Sequence, residues 1–152
     1  MQTIDIQQLN SITMPGEVWK QIPDYNYLIS NLGRVYGLDK NQLEKGYTIR
    51  SGYNYATLYK DGKRKRFRVS HLVAEAFCKN YEPGKHVHHI NRNRGDDRAV
   101  NLLSCTPGEH RAIHALYNLL FANLDILAEL ITPVIRCNVN LLFDDAEGGD
   151  AA

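Results

Sequence analysis

Five of the six histidines in this 152-residue chain stand at positions 86, 88, 89, 110 and 114, and imidazole both ligates metals and titrates near neutral pH. The spacing divides the work among them. His110 and His114 are four apart, so on a helix they leave the same face and can chelate one ion. His88 and His89 are neighbours, and in an extended segment neighbours point to opposite sides. His88 can therefore complete a three-nitrogen site with positions left open for water and an oxyanion. His89 then stays free to take a proton from water as a general base. The chemistry expected is metal-assisted hydrolysis, with His88, His110 and His114 on the metal and His89 on the water. His86 is given no role beyond a surface or nucleic-acid-facing position.

Those side chains need a scaffold. Residues 86 to 90 (HVHHI) read as an extended segment, and NRNRGDDRAV after them, almost without apolar residues, as a loop. Asn101 to Cys105 (NLLSC) reads as a second short strand. Thr106 and Pro107 make an N-cap and a first helical residue, and Glu109 suits the positive end of the helix dipole. That helix is expected from Pro107 through at least Leu120. Upstream, residues 17 to 38 offer short apolar and aromatic pieces between turn formers, hence small strands. The stretch YNYATLYKDGKRKRFRV, 53 to 69, reads as a hairpin around Asp61-Gly62, a pair that accepts positive φ. Alternation puts Arg64, Arg66 and Arg68 on one face and Lys65, Phe67 and Val69 on the other. Ser70 is a plausible N-cap for a short helix, SHLVAEAF, whose His71 is read as structural or as a phosphate contact. Residues 1 to 14 are expected to carry little structure.

The net charge of +1 conceals a polarised chain. Residues 45 to 98 hold thirteen Lys and Arg against five Asp and Glu, whereas from Asp125 onward six acids face Arg136 alone. A basic centre implies a polyanionic partner, with Arg34, Arg64, Arg66, Arg68, Arg92 and Arg94 as candidates to touch it. Cys78, Cys105 and Cys137 form neither a Cys-x-x-Cys pair nor an even framework, which suits reduced thiols and a cytoplasmic setting. No export signal is evident at the start, and no apolar run reaches the roughly 18 residues of a membrane span.

Two groups of residues carry a family resemblance. Trp19, Lys20, Ile22 and Pro23, with Ser30, Asn31, Gly33, Arg34 and Val35, resemble the small modular motif at the front of many phage and intron-encoded HNH endonucleases. Residues 86 to 114, with His88-His89, Asn101 and His110, resemble the HNH, or ββα-metal, nuclease core itself. The resemblance implies that His89 is the general base, that His88 and His110 are metal ligands, and that Asn101 bonds the loop backbone to orient the base. His114 makes the site look closer to the three-histidine, colicin-type version. Asn91 stands where the family usually has Asp, and Asn-Leu-Leu-Ser replaces Asn-Leu-Glu-Trp.

The expectation is thus an α+β protein. A lead-in (1–16) precedes a DNA-binding β region with a short helix (17–78), an HNH core (79–120), a helical extension (121–143) and an acidic tail (144–152). The apolar stretch 115 to 135, kinked or ended at Pro133, is read as packing on the core or as a homodimer interface, with a further strand possible over 138–143. The expected activity is cleavage of double-stranded DNA with one divalent ion (Mg, Mn, Zn or Ni), in a bacterial or phage-infected cell. Two alternatives stay open: a non-catalytic DNA-binding phage regulator with a degenerate HNH fold, and a structural zinc module with Cys105 as fourth ligand.

Overall fold

The computed structural model describes residues 6–124. Its elements are α1 (Ile6–Ile12), β1 (Trp19–Gln21), β2 (Tyr27–Ser30), β3 (Val35–Gly37), β4 (Gln42–Leu43), β5 (Tyr47–Thr48), β6 (Asn54–Lys60), β7 (Lys63–Arg68), α2 (Val69–Phe77), β8 (His86–His89), β9 (Leu102–Cys105) and α3 (Pro107–Ala122). The strands form three antiparallel sheets, ordered β1-β2-β3-β4, β5-β6-β7 and β8-β9. This is the mixed α and β architecture expected, with antiparallel sheets in the N-terminal part of the sequence and a helix C-terminal to them. The chain divides into two compact units, one running to His110 and one from Arg111.

Within the first unit a common core joins the front sheets to the histidine strands. Ile22, Tyr27, Ile29 and Val35 from the first sheet, Ala56 and Leu58 from β6, Val69, Leu72 and Val73 from α2, and Leu102 from β9 are buried together. Helix α2 is the hub, because its spacing of Val69, Leu72 and Val73 puts a continuous apolar stripe on one side. The hairpin forms as its turn chemistry dictates: Asp61 and Gly62 sit at φ 51° and 71°, and Lys60 pairs with Lys63.

Two local expectations are corrected. Helix α2 begins at Val69 with Arg68 at the cap position, and Ser70 lies buried inside the first turn instead of capping it. Continuing the core stripe back to Val69 outweighs the Ser cap signal. The lead-in is also more ordered than its polarity suggested. α1 is followed by Thr13, whose hydroxyl accepts a hydrogen bond from Trp19 Nε1 at 2.9 Å, and the Ile12 carbonyl accepts one from the Arg34 guanidinium at 2.7 Å. The readings for Pro133, residues 138–143, Cys137 and the acidic tail lie outside the described residues.

Candidate active site

Strands β8 and β9 pair with His88 opposite Leu103 and His89 opposite Leu102. His88 and His89 are both buried, at 3% and 5% exposure, although they face different ways. On one side the His86 and His88 rings stand edge-on to His110, with centroids 5.1 and 5.2 Å away. That is the pairing the period-2 geometry of a strand requires. It also gives His86 a place, beside His110, that its sequence position alone did not reveal. His110 opens the body of α3, and His114 follows one turn later on the same helix. The helix starts with a reciprocal cap: Glu109 N donates to Thr106 Oγ1 at 3.2 Å, and Thr106 N donates to Glu109 Oε2 at 2.7 Å.

His89 turns the other way, to a residue the sequence reading missed. Its Nε2 lies 3.0 Å from Asp97 Oδ1, with both side chains buried. The second carboxylate oxygen of Asp97 accepts from Asn54 Nδ2 at 3.0 Å, and the same amide donates to the Gly95 carbonyl at 2.9 Å. The Tyr53 ring lies 6.0 Å from that of His89. Adjacent acids in a polar loop look like a solvated pair, and only the folded chain separates them. Asp96 pairs with the exposed Arg98, whose bonds to it hold its carboxyl down at about 2 against an ordinary 3.8.

Asn101 organises the loop between the strands. Its Oδ1 accepts from Asn91 N at 2.9 Å, while Nδ2 donates to Asn91 Oδ1 at 3.0 Å and to the Asp96 carbonyl at 2.8 Å. Asn91, where the resembled family has Asp, also donates to Asp96 Oδ2 at 2.8 Å, so an amide here both gives and accepts. Cys105, the candidate fourth zinc ligand, points its thiol to the His86 carbonyl at 3.8 Å.

A cleft of about 200 Å³ opens beside the histidines, lined by Tyr53, Arg68, His71, His86, Val87 and His110. Burial, then the positive charge of Arg68 and the neighbouring imidazoles, lowers the pKa of His71, whose Nδ1 is 3.5 Å from the Tyr81 hydroxyl. Two of the three arginines of β7 lie over tyrosine rings. Arg68 lies 4.4 Å from the Tyr53 ring centre and donates to the Tyr55 hydroxyl at 2.9 Å, and Arg66 lies 5.0 Å from the Tyr55 ring. Arg94 covers Tyr53 at 5.1 Å and donates to the Ser51 carbonyl. Arg64 is exposed on the same strand, and Arg92 sits in the loop at φ 62°. Arg34 is placed differently. Its guanidinium is engaged by the buried Glu17 carboxylate, the Ile12 carbonyl and the Trp19 ring, so its charge is directed into the fold. Although burial opposes it, that pairing holds the Glu17 carboxyl below its usual range.

The NUMOD4 motif matches residues 17–59. Among curated proteins, the chain is 38% identical over 86 residues to the DNA endonuclease I-HmuI of Bacillus phage SP01, covering 55% of this chain and 49% of that one. It is 34% identical over 101 residues to the H-N-H endonuclease F-TflII of Escherichia phage T5, covering 64% and 52%. The chain thus spans about half the length of these relatives. A solved structure, described as DNA binding and cleavage by the HNH homing endonuclease I-HmuI, superposes with a TM-score of 0.64 at 31% identity, covering 74% of this chain and 66% of that one. These findings bear out the resemblance drawn from the sequence: a NUMOD4 motif in front, and HNH endonucleases as homologues and structural neighbour.

Proposed function

We propose, with similarity to HNH homing endonucleases as the premise, that this chain is a metal-dependent DNA endonuclease that hydrolyses phosphodiester bonds. One observation carries the reading: two adjacent buried imidazoles have separate surroundings, His88 beside His110 and His89 beside Asp97. His88, His110 and His114 would hold one divalent ion. The donor set fits such an ion, since imidazole nitrogens suit Zn or Ni, whereas Mg and Mn favour oxygen donors. A bound ion would supply Lewis-acid stabilisation of charge on the phosphate.

The remaining chemistry belongs to the chain. His89 takes a proton from water as the water oxygen bonds to phosphorus; the bridging P–O bond breaks, and solvent protonates the departing oxygen. Asn101 holds the loop that backs this base. Residues 79–120 act as the nuclease core and 17–78 as the DNA-gripping region; Arg64, Arg66 and Arg68 of the gripping region and Arg92 and Arg94 of the core meet phosphates. Arg34 instead ties the gripping region together. Leu116, Leu119 and Phe121 are exposed on α3; were two copies to pair through this helix, two sites would give a route to double-strand cleavage, and sedimentation of the full chain tests that pairing.

Conversion of supercoiled plasmid to nicked or linear forms in Mg²⁺, Mn²⁺, Ni²⁺ or Zn²⁺ tests the activity. Loss of conversion in His89→Ala is the expected result. An inert wild type, or undiminished cutting by the variant, overturns the proposal; salt-sensitive DNA binding without cleavage in any metal would favour the regulator reading.

A further inference from the structure

We propose that Asp97 is a positioning residue for His89, fixing which ring nitrogen carries the proton and leaving Nδ1 as the face offered to water. The pair is buried, with each side chain 4% exposed and Asp97 Oδ1 at 3.0 Å from His89 Nε2. An ionised carboxylate can only accept hydrogen bonds, so the imidazole donates from Nε2 and its lone pair resides on Nδ1.

The partners of Asp97 fix it as the acceptor. Asn54 must direct its amino group to the Gly95 carbonyl, because a carbonyl cannot donate, and its Oδ1 accepts from Thr48 Oγ1 at 2.6 Å. The other N–H of that amino group then points to Asp97 Oδ2. Oδ2 is thereby engaged by a donor, and Oδ1 is left to accept from His89 Nε2. The backbone is held as well: Ala99 N donates to the Asn31 carbonyl at 2.8 Å, and Asn101 Nδ2 donates to the Asp96 carbonyl. Asn101 thus bonds the loop backbone, whereas Asp97 contacts the His89 ring directly. A neutral imidazole in the wrong tautomer presents N–H to water and cannot take its proton, which is why orientation by a buried carboxylate matters to a histidine base.

The mechanistic half of this inference rests on His89 being the base; the tautomer half does not. The test uses the full chain without metal, at a pH where its imidazoles are neutral. Long-range ¹H–¹⁵N correlation spectra should show His89 protonated at Nε2. Asp97→Asn keeps the shape but can turn an amino group towards Nε2, and it should shift His89 to the Nδ1-protonated form. The same variant should lower kcat about a hundredfold or more with KM for DNA within twofold. Nδ1 protonation of His89 in the wild type overturns the proposal. So does a variant that cuts at the wild-type rate, or one that raises KM alone. Should the variant fail to fold, the wild-type tautomer still decides. Undiminished cutting by His89→Ala would remove the proposed base while leaving the tautomer assignment intact, so the two failures are distinguishable.

Discussion

Gly33, in the turn between β2 and β3, lies directly against Asp97 of the histidine-bearing loop: a Cβ at Gly33 would stand 3.0 Å from Asp97 Cβ and 3.4 Å from its carbonyl oxygen. The glycine also adopts φ +82°, which L side chains rarely accept. Gly33→Ala should therefore cost about 1–3 kcal/mol of stability and displace Asp97. Urea unfolding together with plasmid cleavage measures both; a variant matching wild type in each would show that the loop has slack to give.

His88 and His89 should fail in different ways. His88→Ala should weaken Mn²⁺, Ni²⁺ or Zn²⁺ binding by tenfold or more in calorimetry. His89→Ala should bind metal as before and lose about 10²–10⁴ in rate, the usual contribution of a general base. Identical metal affinities in the two variants would contradict the assignment.

The arginine ladder should act through salt-dependent binding. Arg64→Ala removes an exposed charge, and a lost phosphate contact should reduce the slope of log affinity against log salt by about 0.9. Arg34→Ala should chiefly lower stability, since its partners are Glu17, Ile12 and Trp19. A slope unchanged in Arg64→Ala but reduced in Arg34→Ala would reverse these roles.

Acid should loosen the loop at a defined point. The folded-state pKa of Asp96 is about 2, below its ordinary 3.8, chiefly through its bonds to Arg98. A depressed carboxylate contributes stability that is fully present above its unfolded pKa and lost as pH falls through the folded one. Between pH 5 and pH 2 the wild type should thus lose thermal stability more steeply than Asp96→Asn. Parallel melting curves for the two would remove Asp96 as the acid-sensitive link.

The reciprocal cap at the start of α3 should be worth about 1 kcal/mol. Thr106→Ala leaves Glu109 N without its hydroxyl acceptor, and lowered helicity by circular dichroism with a reduced melting temperature is the expected readout. An unaltered melt would indicate that packing alone sets where the helix begins.

Features written in short-range chemistry were legible in the sequence. The Asp61-Gly62 turn, the alternating arginines of β7, the Thr106-Pro107 helix start and the opposed faces of His88 and His89 follow from neighbours a few residues apart. Features set by distant partners were not. Arg34 looks like a free cation until Glu17 is folded against it, and Asp97 looks like its neighbour Asp96 until β6 brings Asn54 to its second oxygen. Ser70 carried a genuine cap signal, but the core drew the helix start back to Val69. His86 shows the same limit, because its place beside His110 depends on where α3 begins.

The hydrogen bond from Ala99 N to the Asn31 carbonyl spans two stretches of sequence that could be taken for exchangeable cassettes. A chimera that swaps the front segment for that of another nuclease inherits the obligation to supply that carbonyl and a residue as small as Gly33 at the seam. Recombination within such a lineage would then be constrained less by the target each cassette reads than by whether the borrowed cassette fits the loop it must brace.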